Sequence, residues 1–150
     1  MAETSLRRVD HTAIKVAQAV TILLLAFGFV IDSAIPVLLA AISQLASAAA
    51  LPFGPYALLY RALGPSGVVR PSVHVDNPEP HRFAALVGGS MDLIGGLLLL
   101  AGSTLGWVPV AIVFVLANFN LWLGFCAGCT LYYLFNRLGV PGFVHAPVKE

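Results

Sequence analysis

Two cysteines stand three positions apart in the segment Cys126-Ala127-Gly128-Cys129, and the chain has no others. On a helix, this spacing brings the two alpha carbons near the roughly 4.4–6.8 Å separation that a disulfide requires. The thiolate is the reactive form of cysteine, and such a pair can cycle between dithiol and disulfide or carry a persulfide. The sequence therefore predicts that Cys126 and Cys129 carry redox or sulfur chemistry.

The segment that holds the cysteines is apolar, as is most of the chain. Hydrophobic residues make up 59% of the 150 residues, charged residues make up 10%, and the mean hydropathy is +0.90. This composition excludes an ordinary soluble domain, and a bilayer-spanning helix needs about 20 mainly apolar residues. The sequence predicts an all-α polytopic membrane domain over residues 1–150, with four transmembrane helices at 13–31, 35–63, 83–103 and 108–137.

Basic residues indicate how these helices are oriented. They fall near the N-terminus, in the central connection and near the C-terminal end: Arg7, Arg8, Lys15, Arg61, Arg70, Arg82, Arg137 and Lys149. Because positive charge marks the cytoplasmic side, we expect both termini and the loop 64–82 to be cytoplasmic. The net charge of +1 provides no basic surface for nucleic acid, so no nucleic-acid partner is predicted.

The two halves of the chain resemble each other. Val9-Asp10-His11 recurs loosely as Val75-Asp76-Asn77, and Tyr60-Arg61-Ala62-Leu63-Gly64 recurs as Phe135-Asn136-Arg137-Leu138-Gly139. The repeat predicts two helical hairpins of the same orientation, related by a pseudo-twofold axis along the membrane normal.

The second predicted helix contains Pro52 and Pro55. Each proline removes a backbone donor and clashes with the preceding turn, so this helix should kink or stop at 52–55. The freed carbonyls need partners away from lipid, which favours a small polar pocket near the inner leaflet.

Asp92 lies on the third predicted helix at a depth similar to that of Cys126. A carboxylate inside a membrane is costly and usually faces the bundle interior. We expect Asp92 either to accept a thiol proton or to form an interhelical clamp with a hydroxyl group, Asn118 or Asn120.

Helical spacing assigns further residues to the site and to packing. On the fourth predicted helix, three residues are separated from one another and from the cysteines by steps of three or four, so they share one helix face with the cysteines. We expect these residues to bind a ligand: Asn118, Trp122 and Tyr133. Close helix contacts are predicted at small residues: Gly88, Gly95, Gly96, Gly124 and Gly128.

The four histidines are interpreted as loop residues: His11, His74, His81 and His145. A metal site formed by Cys126, Cys129 and one of these histidines is considered but not predicted, because the usual second pair of ligands is missing.

The motif Gly124-Phe125-Cys126-Ala127-Gly128-Cys129, with Pro78-Glu79-Pro80-His81-Arg82-Phe83-Ala84 and Gly54-Pro55-Tyr56, resembles the bacterial membrane family known as domain of unknown function 4395. The resemblance covers nearly the whole chain. It implies a multi-pass protein of the bacterial cytoplasmic membrane and, as in some relatives, an association with thioredoxin-like or sulfurtransferase proteins. The layout is also similar to that of vitamin K epoxide reductases, but a second cysteine pair is missing.

Three functions remain open at this point. With one cysteine pair, a thiol relay must pass electrons or sulfur to a partner, which would be a thioredoxin-like protein or a quinone. A transporter of a thiophilic metal or sulfur compound would need to form homo-oligomers, since four short helices enclose little volume. A small accessory subunit of a larger membrane complex would need no chemistry at the cysteines.

Overall fold

The computed structural model describes residues 7–143, of which most are helical. His145, predicted as a loop residue, and Lys149, one of the basic residues used to predict the orientation, lie outside this range. The elements, in chain order, are β1 (Arg7–Asp10), α1 (His11–Val30), α2 (Ala34–Ala48), α3 (Pro55–Leu63), β2 (Val73–Asp76), α4 (Glu79–Leu100), α5 (Trp107–Leu123) and α6 (Ala127–Arg137). Short 3-10 turns stand at Gly64–Ser66 and Thr104–Gly106.

Three helical segments are long and apolar enough to cross a membrane: His11–Val30, Glu79–Leu100 and Thr104–Leu123. Their outward surfaces are apolar, with residues such as Leu23, Phe29 and Ile94 more than half exposed. Helix α2 is also apolar, but its 15 residues span about 22 Å, which is shorter than a hydrocarbon core of about 30 Å. The prediction of helices suited to a membrane is therefore confirmed for three segments.

The second predicted helix, over 35–63, consists of two separate helices. Helix α2 ends at Ala48, Ala50 has a positive φ of 55°, and Pro55 is the first residue of α3. Proline is well suited to the first position of a helix, because its missing N–H has no partner there. Of the two outcomes that the prolines predicted, a kink or a stop, the structure shows a stop, and the helix restarts as α3.

The fourth predicted helix, over 108–137, is also interrupted, so the expectation of one continuous helix is wrong. Helix α5 ends at Leu123, and Gly124 has a φ of 67°. This left-handed conformation is easy for glycine and stops the helical ladder, and α6 then starts at Ala127. Gly124 was expected at a helix contact, but a Cβ there would meet nothing within 4 Å.

Helix α4 packs against α2, α5 and α6 at the centre of the bundle. Glycines permit these close approaches: a Cβ on Gly96 would lie 2.5 Å from a methyl carbon of Leu38 on α2. A Cβ on Gly95 would lie 2.7 Å from the carbonyl oxygen of Gly106, just before α5. The buried apolar core lies between α1, α2 and α5 and contains Leu25, Val37, Ala40, Val110 and Val113.

A two-stranded sheet joins the starts of the two halves, which the all-α prediction did not include. Strands β1 and β2 pair antiparallel, with Val9 opposite His74 and Asp10 opposite Val73. These strands hold the repeated Val-Asp segments of the sequence. The sheet brings β2, and with it Asp76, to the N-terminal ends of α1 and α4.

Candidate thiol site

The cysteine pair occupies the N-terminus of α6. Cys126 is the N-cap residue, and its Sγ accepts a hydrogen bond from the backbone N–H of Cys129 at 3.2 Å. The alpha carbons are 5.2 Å apart, and the two sulfur atoms lie at disulfide-bonding distance. Cys126 is partly exposed, whereas Cys129 is buried. The break at Gly124 thus places the cysteines at a helix end, where backbone N–H groups stabilise a thiolate.

A histidine from another helix contacts the cysteine pair. His81 lies in the first turn of α4, and its Nδ1 is 3.5 Å from Cys129 Sγ. The contact depends on close packing of α6 on α4, because a Cβ on Gly128 would lie only 2.5 Å from the Cβ of Ala84. Gly128 was predicted from sequence at such a helix contact, whereas His81 was not predicted at the site.

Asp76, at the end of β2, orients this histidine. Its Oδ2 lies 3.3 Å from His81 Nε2 and 3.3 Å from His11 Nε2. Because a carboxylate accepts hydrogen bonds, it favours the His81 tautomer that carries its proton on Nε2. The unprotonated Nδ1 of His81 then faces the sulfur of Cys129. Asp76, His81 and Cys129 therefore form a connected chain of polar contacts.

The site opens into a cavity of about 330 Å³ that extends from Cys126 toward the end of the bundle where α1 begins. Its polar walls include Gln44 and Asn120, as well as Tyr56, whose hydroxyl is hydrogen-bonded to Thr21 at 2.6 Å. The cavity gives a small molecule or ion a route to Cys126.

The comparison with known families agrees with the resemblance drawn from the motif. The family model described as Domain of unknown function (DUF4395) matches residues 9–137. The chain belongs to this family. No curated protein and no solved structure matches the chain. The matched range of this DUF4395 chain includes Asp76, His81 and both cysteines.

Asp92 is fully buried on α4, where its Oδ2 accepts a hydrogen bond of 2.6 Å from Gln44 Nε2 on α2. This contact is an interhelical clamp, but its partner is Gln44 and not Asn118 or Asn120. The polar group in contact with Cys129 is His81. A role for Asp92 in thiol protonation remains a prediction.

The three predicted binding residues lie in different places. Trp122 is 77% exposed, and its Nε1 donates to Asn118 Oδ1 at 3.3 Å on the outer surface of α5. The break at Gly124 changes the helical phase, so Asn120, not Asn118, lines the cavity with Cys126. Tyr133 is half-buried on α6.

The donor atoms of His81, Cys126 and Cys129 all lie within 4.8 Å of one another. These residues could hold a metal ion once the sulfurs are reduced. Sequence spacing did not show which of the four histidines joins the two cysteines, because His81 belongs to a distant helix. The available signal was its position in the first turn of a helix, in the segment Pro78-Glu79-Pro80-His81.

Proposed function

We propose that this DUF4395 protein is a multi-pass thiol–disulfide protein of the bacterial cytoplasmic membrane. Its Cys126–Cys129 pair exchanges electrons with the dithiol of a thioredoxin-like partner. The observation that carries the proposal is the chain of contacts from Asp76 through His81 Nδ1 to Cys129 Sγ. A buried cysteine that only fills space does not require an oriented histidine against its sulfur.

The unequal exposure of the two cysteines assigns their roles. A partner thiolate attacks the more accessible Cys126 Sγ, the bond between Cys126 and Cys129 breaks, and Cys129 leaves as a thiolate. The second partner thiolate then attacks the mixed disulfide and releases Cys126. In total, two electrons and two protons pass from the partner dithiol to the pair, and the partner becomes a disulfide.

The reverse reaction uses the histidine. In the mixed disulfide, Cys129 is a thiol, and His81 Nδ1 accepts its proton. The resulting thiolate attacks Cys126 Sγ, closes the internal disulfide and releases the partner as a thiolate. The N–H groups at the start of α6 stabilise negative charge on Cys126 when it is free.

The proposed arrangement has four membrane helices in two parallel hairpins, with the cysteine end in the cytoplasm. The helix contacts support a pseudo-twofold axis that would exchange α1 with α4, α2 with α5, and α3 with α6. Under this exchange, the contact between α1 and α5 corresponds to the contact between α4 and α2, and the contact between α1 and α3 corresponds to the contact between α4 and α6. Charge supports the orientation, because the described basic residues cluster at the end that holds His81. Short α2 would cross the bilayer together with the segment that leads to α3.

Trapping of the mixed disulfide tests the proposal. The trap is purified thioredoxin whose second active-site cysteine is replaced by serine and whose remaining cysteine carries an aromatic thiol as a mixed disulfide. In Cys129→Ser, the Cys126 thiolate attacks the sulfur of that thioredoxin cysteine and releases the aromatic thiolate, and no free thiol remains on either protein to resolve the product. We therefore expect a stable adduct with Cys129→Ser, and much less adduct with Cys126→Ser. Equal adduct formation by the two variants, or none with either, would contradict the assigned roles. If the double serine variant kept every cellular role of the protein, an accessory structural subunit would be the better description.

A further inference from the structure

We infer that the reduced site binds a thiophilic closed-shell cation, Cu⁺ or Zn²⁺, through Cys126 Sγ, Cys129 Sγ and His81 Nδ1. This metal site goes beyond the proposed exchange reaction, although it uses the same side chains. It also differs from the sequence prediction of no metal site, which rested on the lack of a second ligand pair.

The positions of the three donor atoms support the inference. They lie within 4.8 Å of one another, with His81 in the first turn of α4, Cys126 at the N-cap of α6 and Cys129 in its first turn. Ligand distances of about 2.3 Å for sulfur and about 2.0 Å for nitrogen place the ligands of one ion roughly 3.5–3.8 Å apart. The separations therefore exceed this range by at most about 1.3 Å, a shift on the scale of side-chain rotation. Two thiolates and one imidazole form a donor set that soft cations prefer.

Contacts around the histidine are those that a metal ligand needs. Metal-binding histidines usually donate their second ring N–H to a carboxylate, which fixes the tautomer and the ring orientation. Asp76 Oδ2, 3.3 Å from His81 Nε2, occupies this position. The nitrogen that faces the sulfurs therefore keeps its lone pair. Asp76 acts here as a positioning residue and not as a ligand.

Binding should depend on the redox state of the pair. A dithiol reductant supplies two electrons and two protons, which convert the disulfide into two thiols. The cation then displaces these two protons as the sulfurs coordinate it. Oxidation of the pair by a disulfide compound would return two electrons to the oxidant and release the cation. The cavity of about 330 Å³ beside Cys126 provides the approach and, for Zn²⁺, room for a water ligand.

The test uses the full-length protein in detergent, reduced by a phosphine and kept free of oxygen. Zn²⁺ and Cu⁺ are titrated in separate arms against chromogenic chelators. We expect one ion per reduced chain in at least one arm, and none with the oxidised protein. Asp76→Asn should weaken binding roughly 10- to 100-fold, and His81→Asn should weaken it further. His74→Asn, which changes a nearby histidine on β2, should bind like the wild type.

Two results would overturn the inference: reduced wild type that binds no more ion than Cys126→Ser/Cys129→Ser, or His81→Asn that binds as tightly as wild type. Circular dichroism of each variant identifies a loss of folding, and Cys129→Ser provides a second ligand substitution. Thioredoxin adducts are measured on the same preparations. Adduct formation without metal binding would overturn only the metal site, whereas metal binding without adducts would overturn only the exchange reaction.

Discussion

His81 and Asp76 convert an ordinary cysteine pair into a candidate reactive site. The cysteines could be found from sequence, because their spacing and scarcity are local features. The histidine could not, because the contact between His81 and Cys129 depends on how α6 packs against α4. Asp92 was favoured from sequence because a carboxylate in an apolar helix is conspicuous, yet its hydrogen bond is to Gln44.

At the residue scale, His81→Asn should slow disulfide exchange with thioredoxin by roughly 100-fold, because the proton acceptor beside Cys129 is removed. Exchange is measured in detergent by mass-tag alkylation after acid quenching. His74→Asn is the matched control, since His74 contacts the ring of His11 and the hydroxyl of Ser72. Equal rates for His81→Asn and wild type would remove His81 from the reaction.

A second residue-scale prediction concerns the contact between Tyr60 and Asp10, which joins α3 to the start of α1. Burial acts to raise the pKa of Asp10, but hydrogen bonds from Tyr60, Ser72 and Thr12 outweigh it and lower that pKa. The hydrogen bond to Asp10 raises the pKa of Tyr60 to about 12. The contact therefore stabilises the fold at neutral pH. This contribution is lost as pH falls through the lowered pKa of Asp10, or rises through about 12.

Tyr60→Phe should accordingly lower the thermal midpoint at pH 7 by about 2–4 °C, the effect of losing roughly 1 kcal/mol. The difference from wild type should shrink in acid, where Asp10 is protonated. Thermal unfolding in detergent, followed by circular dichroism at several pH values, measures both. A difference that is constant from acid to neutral pH would contradict this account of the contact.

At the scale of elements, the two breaks in the helical hairpins differ in how well sequence predicts them. Prolines act locally, so Pro52 and Pro55 indicated the end of α2. Gly124 gave no such signal, because glycine in an apolar helix is more often a packing residue. Because Gly124 has a positive φ, the helix is interrupted, and Cys126 lies at a helix N-terminus where a helix interior was expected. As a result, the cavity beside Cys126 is lined by Asn120 and not, as expected, by Asn118.

The contact between α4 and α6 gives the prediction at this scale. In Gly128→Val, the added side chain would collide with Ala84, so α6 must shift away from α4 at a cost of about 1–3 kcal/mol. Cys129 would move with it, away from His81. We expect a lower thermal midpoint and slower thioredoxin exchange. Gly64→Val is the control, because a Cβ on Gly64 meets nothing within 4 Å. Unchanged exchange in Gly128→Val would show that the reaction does not depend on this packing.

For the whole molecule, composition and charge predicted the membrane character, and three helices have the required length and hydropathy. Composition and charge did not predict that α2 is only 15 residues long, or that a sheet joins the two halves. The internal repeat indicated which segments correspond. Pairing of β1 with β2 shows that two of these corresponding segments lie side by side.

Orientation is the prediction at this scale. In the background Cys126→Ser/Cys129→Ser, Leu105→Cys probes the turn between α4 and α5, and Val68→Cys probes the connection between α3 and β2. Both positions are exposed. If the cysteine end is cytoplasmic, a membrane-impermeant maleimide labels Leu105→Cys in spheroplasts and labels Val68→Cys only after lysis. The opposite pattern would place the thiol site on the outer side.

The redox state of Cys126 and Cys129 in native membranes tests the central proposal most directly. Samples are quenched in acid and alkylated with mass tags, with and without a thiol oxidant or a dithiol reductant. A thiol–disulfide protein should show a pair that shifts between disulfide and dithiol as conditions change, while His74→Asn shifts as wild type does. A pair that stays reduced and unreactive under every condition would contradict the proposed function.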